Sequence, residues 1–171
     1  MNKILISACL LGHKVRYDGG DQLSNHPYIK KWQQENRLIS VCPEVLGGLS
    51  IPRAPAETMP NHSAKDVFDK KAQVLTIDQK DVTDEYVLGA KKALKSAKEH
   101  QIKIAILKAN SPSCGNKMVY DGTFSNRKIK GMGLTAYLLE ENGIKVFNET
   151  EINEAFDYLD SLEVLSTSHS A

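Results

Sequence analysis

Short apolar runs alternate along the chain with longer segments in which apolar residues recur at helical spacing. Several of the runs are continuously apolar, as expected for strands that are covered on both faces in a parallel sheet. These runs predict strands at Lys3–Ser7, Leu38–Val41, Ala72–Ile77, Lys103–Lys108 and Ile144–Phe147. The helical spacing predicts helices at Pro27–Asn36, Thr83–His100, Leu134–Asn142 and Ile152–Leu162, and a frayed tail is expected from Ser166 to Ala171.

The alternation of strands and helices predicts one three-layer α/β domain over residues 1–171, with a mostly parallel, Rossmann-like sheet. A chain of 171 residues, of which 41% are hydrophobic, is long and apolar enough to form one core. We therefore expect a single globular domain.

Two segments, Leu10–Asn25 and Pro43–Asp69, do not follow this alternation and are rich in Gly, Pro, Asn and Asp. Because long connections in compact domains are usually functional, we expect a functional role for them. The dipeptide Asp121-Gly122 predicts a hairpin turn between Met118–Tyr120 and Thr123-Phe124.

The charge pattern argues against some classes of partner. Lys and Arg total 22 against 21 Asp and Glu, a net charge of +1 with no block of like charge. Duplex nucleic acid and anionic membrane surfaces need clustered basic residues, so we expect neither as a partner. No segment approaches the ~20 consecutive apolar residues of a membrane-spanning helix, and the N-terminal apolar run predicts a strand rather than a secretory signal. We expect a cytoplasmic protein, whose oligomeric state the sequence leaves open.

The three cysteines fall at comparable places in the predicted topology. Cys9 and Cys42 each follow a predicted strand directly, and Cys114 lies a few residues beyond the strand Lys103–Lys108. If these strands are parallel, all three thiols emerge at the carboxyl edge of the sheet, where open α/β sheets form ligand sites. An odd number of cysteines in a reducing compartment also disfavours a disulfide framework.

Several interpretations of this set remain open. Any one cysteine is most often a small buried core residue. A three-cysteine zinc site is possible, although catalytic zinc sites usually include histidine, and none of the five histidines has ligand spacing to a cysteine. An iron–sulfur cluster with three cysteine ligands and one iron lacking a protein ligand fits better, since such an iron accepts a soft sulfur ligand.

Motifs around the cysteines resemble those of the thiouracil desulfurase (TudS-like) family. The resemblance covers about residues 3 to 148 and leaves 149–171 as a C-terminal helix and tail. It is carried by Ser7–Gly12, Arg16–Gly20, Cys42–Leu49, Pro52–Glu57, Ser111–Gly115, Tyr120–Phe124 and Gly131–Thr135.

The resemblance implies a 4Fe–4S cluster held by Cys9, Cys42 and Cys114, with one open iron. It implies a non-redox reaction in which the thiocarbonyl sulfur of a thiolated pyrimidine, either thiouracil or a related base or nucleoside, is replaced by oxygen and leaves as sulfide. Glu44 matches the position expected to carry out acid–base chemistry, because exchange of sulfur for oxygen requires a water to lose protons. Ser111 matches a position expected to orient substrate or water.

Arg16, Asp18 and Ser113 are further candidates for substrate binding. An Arg–Asp pair that holds a loop, and hydroxyls that bind turn amides, are equally good explanations of these residues. One segment, Thr58–Asp66, lacks the glycines that the family often has there. If it borders the pocket, the substrate differs from thiouracil itself.

Two other functions remain as alternatives. In the first, Cys114 is a nucleophile that forms a persulfide in a sulfurtransferase, which requires one thiol of depressed pKa. In the second, the protein is a non-enzymatic module that binds an iron–sulfur cluster or zinc.

Overall fold

The computed structural model describes residues 1–169, with side chains described through residue 165. In chain order its elements are β1 (Ile4–Ser7), α1 (Pro27–Gln34), β2 (Leu38–Val41), α2 (Pro43–Leu46), β3 (Ala56–Thr58), α3 (Ala64–Phe68), β4 (Val74–Thr76), α4 (Thr83–Glu99), β5 (Ile104–Leu107), β6 (Met118–Tyr120), β7 (Lys128–Lys130), α5 (Leu134–Glu141), β8 (Lys145–Asn148) and α6 (Ile152–His169). A short 3-10 helix, Ala8–Leu11, follows β1 directly. None of the helices within residues 1–169 is long and apolar enough to cross a membrane.

Four parallel strands form the central sheet, in the order β2-β1-β5-β8. β1 pairs with β2 from Ile4 opposite Leu38 to Ser7 opposite Val41, and it pairs with β5 on its other side. The strand order therefore reverses at β1, and the carboxyl ends of all four strands meet at one edge. This arrangement confirms the predicted α/β fold with a mostly parallel sheet.

Helices cover both faces of the sheet, which explains the continuous apolar runs in the strands. Ile4 and Ile6 pack on one face with Trp32 of α1 and Leu159 of α6. Leu5 points to the opposite face, where residues of α4 and α5 cover it. Burial of each of these large side chains contributes about 1.5–3 kcal/mol to folding.

The prediction for Ala72–Ile77 is wrong in its placement. This segment forms the short strand β4, which pairs antiparallel with β3 outside the central sheet. Val74 and Thr76 are buried whereas Leu75 is only partly buried, the alternation of a strand covered on one face. β3 itself comes from the segment Pro43–Asp69, for which no strand was predicted.

The predicted hairpin is longer than its sequence indicates. β6 pairs with β7, not with Thr123-Phe124. The Asp121 carboxylate accepts hydrogen bonds from the backbone N–H and the hydroxyl of Thr123, while the Asp121 N–H donates to the carbonyl of Arg127. These bonds close a turn that extends to Arg127 before the second strand begins.

The last helix extends beyond the predicted end at Leu162. α6 continues to His169, and Glu163 on the added turns forms an ion pair with Arg37, which ties this part of the helix to the domain. The tail predicted from Ser166 is therefore helical through His169, and residues 170–171 lie outside the described part of the chain.

Candidate active site

The three cysteines meet where the strand order reverses, at the carboxyl ends of β1, β2 and β5. Cys9 lies in the 3-10 helix after β1, Cys42 is the residue before α2, and Cys114 lies in the loop after β5. All three are free thiols and line one cavity of about 260 Å³, here called the cysteine cavity. Reversal points of this kind are where open α/β sheets bind ligands.

The environment of these thiols disfavours their ionised forms in the absence of a metal. Burial raises the pKa of Cys9 to about 11, and the charges of Arg16 and Lys108 only partly offset it. Burial likewise raises the pKa of Cys42, and it raises that of Cys114 further because Cys114 is almost fully buried. The charge that each thiolate would carry adds to this, since Cys42 raises the pKa of Cys9 and both raise that of Cys114.

The donor set is one that an iron–sulfur cluster can use. Among residues 1–165, whose side chains are described, no group of three His, Cys, Asp or Glu side chains is placed to hold one metal ion. Cysteine thiolates are the usual protein ligands of a 4Fe–4S cluster. The three thiols of the cysteine cavity could therefore hold such a cluster.

Glu44, in the first turn of α2, lies in the wall of the same cavity. Its Oε2 accepts hydrogen bonds from Arg53 Nε at 3.0 Å and Nη2 at 2.7 Å, and from the Tyr86 hydroxyl at 3.4 Å. Burial raises the pKa of Tyr86 well above its ordinary value, so its phenol stays protonated and donates. Only Oε1 is left for other partners.

Ser111 connects this carboxylate with the cysteine loop. Its hydroxyl donates to Glu44 Oε1 at 3.4 Å and accepts the backbone N–H groups of Ser113 and Cys114, both at 3.1 Å. The structure thus brings together the two residues predicted to be catalytic. The 3.4 Å between Ser111 Oγ and Glu44 Oε1 is longer than an ordinary O–H···O hydrogen bond.

Close packing of α2 on α4 makes this arrangement possible. A Cβ at Gly89 of α4 would lie 2.0 Å from the carbonyl oxygen of Pro43, so only glycine allows the approach. Tyr86 lies one turn earlier on α4 and reaches Glu44 across this contact.

The three predicted substrate-binding residues are placed differently from one another. Arg16 lines the cysteine cavity. Asp18 is exposed, is not among the cavity-lining residues, and accepts the N–H of Gly20 in a local turn. Ser113 is fully buried, and its hydroxyl bonds to Thr135 at 2.8 Å. In the structure Asp18 stabilises a turn and Ser113 packs against Thr135, and neither is among the residues that line the cysteine cavity, so a role of either in substrate binding stays a prediction.

Several cavity residues were missed as site residues. Tyr86 was interpreted only as part of a helical apolar stripe, and Lys108 only as the end of a strand. Lys108 forms an ion pair with Glu149 at 2.8 Å, and its N–H donates to the Ser7 hydroxyl. The polar tip of Tyr86 and the position of Lys108 at a carboxyl strand end were the available signals.

A family model for 2-thiouracil desulfurase matches residues 4–151. The chain belongs to the 2-thiouracil desulfurase family. It is 44% identical over 151 residues to the uncharacterized protein YbbK of Bacillus subtilis (strain 168), which covers 88% of this chain and 98% of that protein. It is also similar to a solved structure described as the 4Fe–4S-dependent thiouracil desulfidase TudS, with a TM-score of 0.85 and 38% identity over 94% of this chain and 99% of that one.

Membership of the 2-thiouracil desulfurase family confirms the resemblance drawn from the motifs. The segment in which this chain departs from the family pattern, Thr58–Asp66, contributes no residue to the cysteine cavity as residues 1–169 form it. The departure therefore gives no support to a changed substrate.

Proposed function

We propose that this protein is a 4Fe–4S-dependent, non-redox desulfidase that replaces the thiocarbonyl sulfur of a thiolated pyrimidine by oxygen and releases sulfide. The observation that carries the proposal is the convergence of three free thiols, from three strand ends, on one cavity that also contains Glu44 and Ser111. The 4Fe–4S dependence of the similar TudS structure supports the same cofactor here.

Cys9, Cys42 and Cys114 would hold the cluster. When bound, such a cluster with three protein ligands supplies a Lewis-acidic iron that attracts soft sulfur ligands. Arg16 and Lys108 line the same cavity and place positive charge near the thiolates that the cluster requires.

Glu44 would act as the general base. Conversion of a C=S group to C=O consumes one water and releases one equivalent of hydrogen sulfide, so the attacking water must lose its protons. Arg53 and Tyr86 occupy Oε2 of Glu44, which would leave Oε1 for proton transfer. The Ser111 hydroxyl, next to Oε1, would orient the water.

The chemistry of the thiols argues against the sulfurtransferase alternative. A persulfide-forming nucleophile needs a depressed pKa, whereas burial raises the pKa of each cysteine in this cavity. The non-enzymatic module would not explain a carboxylate oxygen and a hydroxyl paired beside the thiols.

The test is anaerobic reconstitution with iron and sulfide of the wild type and of Cys9→Ala, Cys42→Ala and Cys114→Ala. We expect the visible charge-transfer absorbance to be lost or strongly reduced in all three variants. Sulfide release from thiouracil is expected only from reconstituted wild type.

Other outcomes discriminate between the functions. Sulfide release without iron, dependent on Cys114 alone, would establish the persulfide enzyme and contradict the proposal. A stable cluster with no turnover of thiouracil or of thiolated uridine would leave the binding module as the better explanation.

A further inference from the structure

The β6–β7 hairpin forms part of the wall of the cysteine cavity. Tyr120 of β6 and Asn126 of the connecting turn both line the cavity, although β7 itself is exposed. The hairpin thus contributes to the cavity although many of its residues are exposed.

The tip of this hairpin is fastened to the rest of the domain by a buried carboxylate. Glu57 of β3 is 9% exposed and accepts the backbone N–H groups of Gly122 at 2.8 Å and Phe124 at 3.3 Å. A Cβ at Gly122, whose φ is +93°, would lie 2.4 Å from the carbonyl oxygen of Thr58. The turn therefore docks closely on the end of β3.

The turn is also ordered internally. The Asp121 carboxylate binds the N–H and hydroxyl of Thr123, and the Thr123 hydroxyl meets that of Ser125 at 2.6 Å. Asn126 follows in the left-handed region, with φ of +60°. Its backbone position is consequently fixed relative to the cavity.

Two asparagines are among the residues that line the cavity, Asn110 and Asn126, and among residues 1–165, whose side chains are described, neither side chain donates or accepts a hydrogen bond. Asn110 adjoins Ser111, and its backbone forms a bridge with Val119. Asn126 has no such connection, yet a buried carboxylate is used to hold its loop in place. We infer that the loop is anchored in order to present the Asn126 side chain.

A carboxamide offers an N–H donor and a C=O acceptor side by side. Pyrimidine bases carry the complementary pair, a ring N–H beside a ring carbonyl. We propose that Asn126 is a specificity-determining residue whose carboxamide pairs with adjacent N–H and C=O groups of a pyrimidine ring bound in the cysteine cavity, and that Glu57 is the positioning residue for its loop. The substrate class rests on the proposed function.

The test uses cluster-reconstituted protein and uracil, the expected reaction product, as the binding probe in anaerobic calorimetry. Asn126→Gly removes the carboxamide and tolerates the positive φ, whereas Asn126→Asp keeps the shape but replaces the donor with an acceptor. Asn61→Gly is the matched control, because Asn61 is exposed, has φ of +63° and lies outside the cavity.

We expect both Asn126 variants to bind uracil about tenfold more weakly than wild type. Asn126→Gly loses both neutral hydrogen bonds, whereas Asn126→Asp loses the donor and sets a carboxylate oxygen against the ring carbonyl. Asn61→Gly should bind like wild type. For thiouracil, KM should rise about tenfold with little change in kcat, the pattern of lost ground-state binding.

The inference is overturned if Asn126→Asp binds uracil as tightly as wild type. This holds even if Asn126→Gly binds more weakly. An Asn126-dependent uracil affinity without any sulfide release supports the inference while contradicting the proposed function. Sulfide release with a KM that neither Asn126 variant changes supports the proposed function and contradicts the inference about Asn126.

Discussion

Two buried arginines lie at opposite ends of the central sheet. Arg37 precedes β2 at the amino edge, and its side chain, 5% exposed, pairs with Glu35 and Glu163 and donates to the carbonyl of Asn2. Arg53 lies at the carboxyl edge, and its side chain, 7% exposed, pairs with Glu44 and donates to the carbonyl of Val15. In burial and pairing the two groups are nearly equivalent.

They differ in whether the carboxylate paired with the arginine has an oxygen available at the cysteine cavity. Arg37 is not among the residues that line the cysteine cavity, and its two partners are partly exposed to solvent, at 24% and 33%. Glu44 is 14% exposed, and among the described side chains its Oε1 has only the long contact to Ser111 on the cavity wall. Burial and ion pairing therefore do not by themselves indicate a catalytic carboxylate. The proposed catalytic role of Glu44 rests instead on an oxygen that remains available at the cavity.

The largest effect that this comparison predicts is for Glu44→Gln. The amide keeps the shape but cannot take up a proton, so turnover of thiouracil by reconstituted protein should fall about 10³-fold, within the range for loss of a general base. Iron content should be unchanged. Glu163→Gln at the amino edge is the control and should keep full activity. If the turnover of Glu44→Gln stays within tenfold of wild type, the carboxylates at both edges of the sheet have only a structural role.

The reverse change is Arg37→Met, which should affect stability and not activity. Removal of Arg37 leaves Glu163 without its cation and Glu35 with Lys31 alone, and we expect a loss of about 3 kcal/mol, near the low end for buried pairs because both carboxylates reach solvent. Urea unfolding of the metal-free protein measures it. Arg53→Met should lower both stability and turnover, and a selective loss of turnover in Arg37→Met would contradict the distinction.

The amino-acid sequence was sufficient to locate the cysteines. Cys9 and Cys42 follow strands that a continuous apolar run identifies, and parallel topology alone then brings them to one edge. The strand at Ala72–Ile77 was misplaced because a short apolar run does not reveal which strand it pairs with. The motif resemblance added Glu44 and Ser111, which the structure places in contact.

The rest of the site depends on contacts between distant segments. Tyr86 is 42 residues from Glu44, and Glu57 is 65 residues from Gly122. Periodicity could assign Tyr86 to a helix face, but not predict that its hydroxyl reaches a carboxylate on α2. The motif also could not predict that Ser111 and Cys114 line the cavity while the hydroxyl of Ser113, between them, bonds to Thr135.

A third prediction concerns how the buried thiol of Cys9 at the carboxyl edge makes the free energy of unfolding depend on pH. The pKa of Cys9 is raised from 9.0 to about 11, so the neutral thiol stabilises the fold fully below pH 9, and this contribution is lost as pH rises through 11. By pH 10 the metal-free protein should lose about 1.4 kcal/mol through this group.

Unfolding free energies between pH 8 and 10.5 test this expectation. Cys9→Ala should show a shallower decline than wild type, and cluster-loaded protein should not show the Cys9 contribution. An identical decline in wild type and Cys9→Ala would mean that the thiol is no harder to ionise in the fold than in the unfolded chain.

The smallest effect separates two serines of one loop, where the contrast between saturated and available groups recurs. The Ser113 hydroxyl is satisfied by Thr135 away from the cavity, so Ser113→Ala should cost about 1 kcal/mol of stability by leaving Thr135 without its partner, and should not change turnover. The Ser111 hydroxyl faces Glu44, so Ser111→Ala should lower kcat while iron content is maintained. Sulfide release and urea unfolding are measured on both variants. We expect reduced stability with unchanged turnover in Ser113→Ala and reduced turnover in Ser111→Ala. Loss of turnover in Ser113→Ala at full iron content would instead support the predicted role of Ser113 in substrate binding. A hydroxyl that only packs against Thr135 would not contact the reacting atoms.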